Sequence, residues 1–338
     1  MESDSYDLLD RQLAHALQLN GRAPFSRIAR ALGVSDQTVA RRYARLVGTG
    51  ALRVLGLSAP HALGEERWLL RVQCTPDAAG ALAEALARRE DTTWVGLSAG
   101  GTEINCGTRF HPDQQDGTLL LQRLPRTPSV VGVTAQCVIH TFFGGAQGLA
   151  IKSGALTAEQ VALLLDEAPA PTGPPPVLER TDRRLLDALA VDGRANLTDL
   201  AAATGWSAAT VRRRMDELER HGALYYDLDL DWRVFGLRTT ALLWLSVPPS
   251  RLAATGEALA AHPELAFVCA TTGPTNLHAV LLCPDVRSVY TYLTTRIAAL
   301  DAVDRVESAP VLRTVKGPGP FRRPPTRAAR PATAPAPG

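Results

Sequence analysis

Thr38, Arg41, Arg42 and Arg45 are spaced so that a helix would carry them on one face, and Thr210, Arg213, Arg214 and Glu217 repeat that spacing later in the chain. Short hydroxyls and paired guanidiniums suit base edges and phosphates in a DNA major groove. The opposite stripe is apolar in both places: Val39, Tyr43 and Leu46, matched by Val211, Met215 and Leu218, fall at i, i+4, i+7 and must face a core. Ser35 and Ser207 precede the two helices as N-caps. With Gln37 and Arg212 they complete the candidate DNA-facing set: Ser35, Gln37, Thr38, Arg41, Arg42, Arg45, Ser207, Thr210, Arg212, Arg213 and Arg214.

These residues sit inside a long internal repeat. Asp10 to Leu52 aligns without a gap on Asp182 to Leu224, an offset of 172 residues, with about half the positions identical. Each copy reads as three short helices. Leu185, Leu186 and Leu189 line the first in the second copy, and Gly21 or Gly193 then breaks the pattern. Ser26 and Thr198 are the expected N-caps of the second helix, which Gly33 or Gly205 ends with a positive φ. Two helices, a glycine turn and a basic third helix make a helix-turn-helix.

Charge separates the copies. Gly21 to Arg53 holds seven arginines against the single acid Asp36, a balance of +6, whereas Gly193 to Tyr225 has five against four, a balance of +1. The first copy is therefore expected to hold DNA more strongly, since phosphate neutralisation supplies much of the affinity. The chain as a whole, at +2, announces no nucleic acid. It shows no N-terminal signal sequence and no apolar run near the about 18 residues of a membrane span, so it reads as cytoplasmic. Cys74, Cys106, Cys137, Cys269 and Cys283 lack paired metal spacing and read as buried reduced thiols, with no metal or cofactor.

After each helix-turn-helix come about 90 residues of strand and helix signals. In the second half the order is strand 240–247, helix 251–261, strands 265–272 and 276–283, helix 286–300 and strand 303–312. The first half repeats it with strand 68–74, helix 78–88, strands 93–99 and 103–110, helix 116–124 and strand 130–142. The βαββαβ order is that of a ferredoxin-like antiparallel sheet with helices on one face. Stretches such as Ala241 to Leu245 are apolar on both faces, which predicts that the two sheets pack face to face.

The expected fold class is thus α+β, with two winged helix-turn-helix and two ferredoxin-like units in tandem. The division is 1–57 and 64–150 for the first pair, a proline-rich linker 167–177, 178–232 and 236–316 for the second pair, and a disordered tail 317–338.

On these residues the chain resembles the Lrp/AsnC (feast/famine) family of bacterial transcriptional regulators. The likeness rests on Asp182-Arg-Arg-Leu-Leu, Asp192-Gly-Arg, Gly205-Trp-Ser, Arg212-Arg-Arg-Met and Gly222-Ala-Leu, then Gly273-Pro-Thr-Asn and Val311-Leu-Arg-Thr-Val-Lys. It implies a DNA-binding domain joined to a ligand-sensing RAM domain, dimerisation through the sheets, and in many members an amino acid bound near the loop before the third strand. A Gly-x-x-Asp pattern is usual there. The corresponding loops here, Gly100-Gly-Thr-Glu103 and Gly273-Pro-Thr-Asn276, both depart at the acidic position. Gly100, Thr102, Glu103, Gly273, Thr275 and Asn276 are the candidate effector residues, with an amine favouring Glu103. The alternative is a pair of tight turns with no ligand.

The resemblance predicts a sequence-specific regulator, not an enzyme, with double-stranded DNA as partner, a small-molecule effector, and homodimers or higher homo-oligomers carrying four helix-turn-helix units. A competing class is enzymatic, because tandem Lrp-like proteins include sirohaem decarboxylases. His111, His140 and His278 are scattered rather than clustered, and no catalytic set is assigned. A third is an assembly module that no longer binds DNA.

Overall fold

The computed structural model describes residues 6–110, 123–165 and 176–321, within which two copies of one architecture surround an internal pseudo-twofold axis. The first helix-turn-helix is α1 (Leu8–Leu19), α2 (Phe25–Leu32) and α3 (Asp36–Gly48), followed by β1 (Leu52–Ser58). Then come β2 (Glu66–Cys74), α4 (Pro76–Ala87), β3 (Thr92–Ser98), β4 (Glu103–Phe110), β5 (Val130–Phe143) and α5 (Ala158–Leu164). The second half has α6 (Arg180–Val191), α7 (Leu197–Thr204), α8 (Ala208–Arg220) and β6 (Leu224–Leu230). It continues with β7 (Thr239–Ser246), α9 (Leu252–Ala261), β8 (Leu265–Thr271), β9 (Leu277–Cys283), α10 (Val286–Tyr292) and β10 (Arg305–Thr314). The expected helix 116–124 and linker 167–177 fall almost wholly outside the described residues. No described helix is long and apolar enough to cross a membrane.

Local chemistry explains the helical boundaries. Gly33 and Gly205 end α2 and α7 in the left-handed region, at φ +68° and +76°, where a side chain would be strained. The second-helix caps are shifted from those expected: Pro24 and Asn196 take the position, and the Asn196 side chain accepts from Asp199 N. Ser26 and Thr198 lie inside the first turn instead.

The expected wings are absent among the described residues. The single strand after each recognition helix pairs instead with its counterpart: β1 runs antiparallel to β6 with Leu52 opposite Leu230 and Leu55 opposite Asp227. The 172-residue offset carries Leu55 onto Asp227, so this pair lies on the pseudo-twofold axis. Around it the contacts are reciprocal. Arg22 Nη1 and Nη2 donate to Gly193 O (2.7 Å) and Ala195 O (3.0 Å), while Arg194 donates to Gly21 O (2.7 Å) and Ala23 O (3.0 Å). Gly21 and Gly193 matter here for close approach rather than for φ. A Cβ on Gly193 would meet Gly56 N at 2.8 Å, and one on Gly21 would meet Tyr226 Cβ at 2.6 Å.

The sheets correct a second expectation. Strands β5-β2-β4-β3 and β8-β9-β7-β10 each form a four-stranded antiparallel sheet, but the two do not merely face one another. They are joined at both edges, β10 to β3 and β5 to β8, closing an eight-stranded barrel. α4 covers Leu70, Val72, Val95 and Ile104 on the outside of one sheet. α9 and α10 cover Leu243, Leu245, Leu277 and Leu281 on the other. The opposite faces are bridged by cations: Arg71 bonds Glu103 and Glu307, both at 3.1 Å, with its guanidinium 3.9 Å from the Trp244 ring centre. Arg67 lies 4.8 Å from the centre of the Phe267 ring.

The only two lysines of the chain make an equivalent exchange. Lys152 Nζ, following the first sheet, donates to Ala260 O (2.7 Å), His262 O and Leu265 O (both 3.0 Å), at the carbonyl end of α9 in the second. Lys316 Nζ, following the second sheet, donates to Arg89 O (2.6 Å) just past α4 in the first. A cation is favoured at the carbonyl end of a helix. Two further segments lie outside the expected elements. α5 buries Leu164 against the first helix-turn-helix, where Arg27 Nε donates to Leu163 O at 3.0 Å. The start of the expected disordered tail is ordered: Gly317 O accepts from Trp94 N at 3.2 Å, and Phe321 packs on the first sheet's core.

Burial pushes the Asp227 carboxyl, on the axis, up to about 6 from an ordinary 3.8, although Leu228 N and Gln18 Nε2 donate to it. A carboxyl raised on folding takes up a proton, so its penalty is absent below about pH 4 and complete above about pH 6. Asp227→Asn should therefore raise stability at pH 7 by on the order of 2 kcal/mol and change little at pH 4. Urea denaturation of both proteins at the two pH values measures this; an equal effect at both rules it out.

Candidate nucleic-acid interface and effector loops

The recognition helices begin in the same way. Ser35 Oγ accepts from Thr38 N (3.2 Å) and contacts Thr38 Oγ1 (2.9 Å), and Ser207 repeats both contacts with Thr210 at the same distances. Val39 and Leu46 are buried beneath α3, as are Val211, Met215 and Leu218 beneath α8. These anchors fix which side chains point outward. Gln37 and Arg41 are exposed on α3, and Arg212 and Arg213 are exposed on α8. Arg41, Arg212 and Arg213 make no hydrogen bond or ion pair with the described residues.

Three further helix arginines reach back to acids at the start of the first helix of their unit. Arg42 bonds Asp7 (2.7 Å) and Asp10 (3.2 Å), and Arg45 bonds Asp10 (2.6 Å). Arg214 makes two 2.7 Å bonds to Asp182, the counterpart of Asp10, and a third to Val177 O. Asp10 and Asp182 are buried at the third position of α1 and α6, where each also closes the helix's capping box. A buried carboxylate requires a cation, and Arg42, Arg45 and Arg214 supply it. Burial alone would raise the Asp182 carboxyl. The Arg214 bonds and the Glu179 N–H outweigh that and hold it below its ordinary value.

The arginines of the two charge windows divide between bonded and unbonded in the same way. Of the first copy's arginines, Arg22, Arg27, Arg42, Arg45 and Arg53 bond within the chain, leaving Arg30 and Arg41 without a described partner. In the second, Arg194, Arg214 and Arg220 are engaged, leaving Arg212 and Arg213. Each unit thus has two guanidiniums without a described partner, while Arg22, Arg27, Arg194 and Arg220 bond neutral carbonyls and keep their charge, so the difference in net charge between the two windows remains. The surfaces differ in chemistry as well. α8 and the start of α7 border an open groove with Arg212, Arg213 and Arg220 on its wall. The positions of Arg212 and Arg220 are Ala40 and Gly48 in the first copy.

The two effector loops lie at separate seams of the barrel. Gly100 and Gly101 turn at φ +69° and +88° beside the β3–β10 seam, and Thr102 Oγ1 donates to Ala99 O. Glu103 is buried; it accepts from Arg71 (3.1 Å), Ser98 Oγ (3.2 Å) and Asn105 Nδ2 (3.1 Å). Its charge is balanced by Arg71, with which an amine approaching Glu103 would compete. At the β5–β8 seam, Gln136 Nε2 donates to Thr272 O (3.0 Å), Thr275 O (2.7 Å) and Thr275 Oγ1 (3.1 Å). Gly273 allows this approach, for a Cβ there would lie 3.1 Å from Gln136 Nε2. Asn276 is engaged with Val247, accepting from its N–H (3.0 Å) and donating to its carbonyl (2.8 Å).

Sequence reasoning missed Gln136, Arg71 and Glu307, which no local pattern marks. It also missed the roles of Asp10, Asp182, Arg22 and Arg194. For these a signal existed, since each polar residue is identical in both copies. His278 is buried beside Trp244 and Phe267, and burial brings its imidazole down to about 4, so it is neutral. His140 stacks edge-on to Phe142, and His111 lies outside the described residues.

Comparison with known proteins agrees with this geometry. The profile of the AsnC-type helix-turn-helix domain matches residues 7–47 and 178–219, and that of the Lrp/AsnC ligand binding domain matches 240–321. The helix-turn-helix transcriptional regulator Ptr1 of Methanocaldococcus jannaschii is 26% identical over 141 residues, covering 41% of this chain and 95% of that protein. An uncharacterized helix-turn-helix transcriptional regulator of Pyrococcus furiosus is 32% identical over 100 residues, covering 29% of this chain and 68% of its own length. In fold, the chain is similar to the siroheme decarboxylase NirDL, at a TM-score of 0.61 and 13% identity, covering 92% of this chain and 94% of that one.

The division between inward and outward arginines is measurable. Arg214→Met leaves Asp182 buried without its cation and should cost about 3–5 kcal/mol. Arg213→Met, one position away on the exposed face, should stay within about 0.5 kcal/mol. Equal losses in chemical denaturation would show that the helix faces are assigned wrongly.

Proposed function

The chain belongs to the Lrp/AsnC family of helix-turn-helix regulators, and from that premise we propose that it is a sequence-specific, DNA-binding transcriptional regulator that reads its operator with the outward faces of α3 and α8. The observation that carries this reading is the pair Arg41 and Arg213. They occupy equivalent positions, are exposed and uncommitted, and stand three residues beyond the capped Thr38 and Thr210. A protein could hold its fold without them, as neither touches the core. Gln37, Thr38, Thr210 and Arg212 extend the contact surface on either side, and Ser35 and Ser207 fix the helix ends that meet the duplex.

The two barrel halves are read as paired RAM domains, with the effector loops at their seams. An effector reaching the second loop must compete with Gln136, and one at the first must compete with Arg71 for Glu103. The first event loosens a contact between the halves directly, and the second disturbs Arg71, which also bonds Glu307 and lies over Trp244 in the other half, so ligand occupancy is tied to the geometry of the two DNA readers. Association of whole chains into homodimers would double the number of readers to four.

A second reading, a tetrapyrrole decarboxylase, is favoured by the whole-chain likeness of fold to NirDL. Retention of outward arginines on both recognition helices weighs against it, because decarboxylation has no use for them. Adding an iron tetrapyrrole to the purified protein should give no saturable absorption change; saturable binding with release of carbon dioxide would establish the second reading.

The primary reading is tested by duplex binding. Arg41→Ala and Arg213→Ala should each weaken binding by about 1–3 kcal/mol where the arginine meets a base, or reduce the salt slope by about 1 where it meets phosphate. Fluorescence anisotropy across a salt series, on a duplex selected by the protein itself, distinguishes the two. Unchanged affinity and slope in both variants would remove α3 and α8 from the interface.

A further inference from the structure

We infer that one chain docks on an operator whose two half-sites differ in sequence, α3 reading one and α8 the other with fixed polarity. This deepens the DNA-binding reading and rests on it. Three observations lead there.

The first is that the scaffold is symmetric. The β1–β6 register centres on the equivalent residues Leu55 and Asp227, and the Arg22 and Arg194 forks repeat one another at 2.7 and 3.0 Å. An isologous contact relates the two recognition helices by a twofold axis, which is the symmetry of two half-sites on B-DNA.

The second is that the reading faces are not symmetric. α3 begins Asp36-Gln37-Thr38 and carries Ala40 and Arg41, whereas α8 begins Ala208-Ala209-Thr210 and carries Arg212 and Arg213. A glutamine amide pairs with the N6 and N7 edge of adenine, and an alanine methyl packs on the thymine methyl. Asp36 repels phosphate, or accepts from cytosine N4, where Ala208 does neither. Both units carry guanidiniums without a described partner, and the starts of the two helices differ in what they offer a base edge.

The third is covalent. In a homodimer both readers change together, but here one chain always pairs unlike readers. A palindrome would satisfy only one of them at a time, so the ligand this surface fits is a duplex of two unlike halves, with centres about one helical turn apart or a multiple of it.

The experiment is in vitro selection by the full-length protein from duplexes containing about three helical turns of random sequence. The expected motif has two dissimilar halves. Gln37→Ala should relax base preference by about tenfold in one half only, and Ala209→Gln should alter only the other. The combined variant Asp36→Ala, Gln37→Ala, Ala40→Arg, Ala44→Asp, Gly48→Arg gives the first helix the groove-lining residues of the second, and should turn the selected motif into a near-palindrome. A palindromic motif from the wild-type protein, or a change in both halves from Gln37→Ala, would overturn the inference while leaving DNA binding in place. Failure to enrich any sequence overturns it together with the DNA-binding reading itself. Circular dichroism of each variant confirms that the helices persist.

Discussion

The close approach of two glycine turns across the pseudo-twofold axis is the contact on which the rest of the molecule depends. Gly21 lies against Tyr226 and Val54, and Gly193 against Leu55 and Gly56, with no room for a Cβ at either. That proximity brings Arg22 and Arg194 within reach of the opposite turn's carbonyls. It also lets Arg194 stack over the Phe25 and Tyr43 rings of the first unit. A helix-turn-helix of about 50 residues buries too little surface to be robust alone. Here each unit completes its core with the strand of the other, since Leu228 and Leu230 lie in the first unit's core. Joining the copies in one chain makes this association intramolecular, at an effective concentration in the millimolar range or above.

The barrel extends the same exchange to the second layer. An open four-stranded sheet presents two edges with unpaired backbone groups, and closure removes all four at once. Each half's last strand crosses to the other half, and the lysine beyond it caps a helix there: Lys152 on α9, Lys316 beyond α4. Between the sheets, the Arg71–Glu103–Glu307 group and its Trp244 platform hold charges that water would otherwise solvate. Partly buried charges of this kind add little net stability over apolar packing, but removal of Arg71 leaves the buried Glu103 uncompensated. They therefore specify how the halves meet more than how strongly. The first of the loops proposed for an effector ends in Glu103 of this group, so a ligand bound there would act on that specification directly.

Periodicity and repetition made the elements legible. The apolar stripe of Val39, Tyr43 and Leu46, the αL turn at Gly33, and the strand–helix order of both halves all follow from local rules. What the sequence hid was the destination of each polar group. Arg41 and Arg42 are neighbours of one type, yet one faces solvent and the other neutralises Asp10, because a helix turns 100° per residue and only one of them lies over the start of α1. The barrel closure was equally hidden. Its seams pair strands far apart in sequence through bulges between Val138 and His140 and between Val311 and Arg313, and no local pattern fixes such a register. Gln136 and Glu103 belong to the same class, with partners set by tertiary contacts. Residues 317–321 read as tail by composition, but Phe321 has an apolar surface waiting for it.

Fusion of two copies changes what each residue is free to do. In a homodimer a substitution appears on both sides of the axis, so interface and reading face vary under one symmetry. In this chain the symmetric tasks remain with identical residues: Arg22 and Arg194 at the axis, Asp10 and Asp182 beneath the recognition helices, Thr38 and Thr210 at their starts. Positions without a symmetric task differ. Gln37 stands opposite Ala209, Ala40 opposite Arg212, and the two seam loops end in Glu103 and Asn276. Even the axis shows this freedom: Leu55 meets Asp227, a pairing that no true dimer can make, since each residue there would face its own copy. The scaffold's symmetry is therefore a physical requirement of packing two small units together, whereas the asymmetry of the surfaces is available only because the two units are one chain.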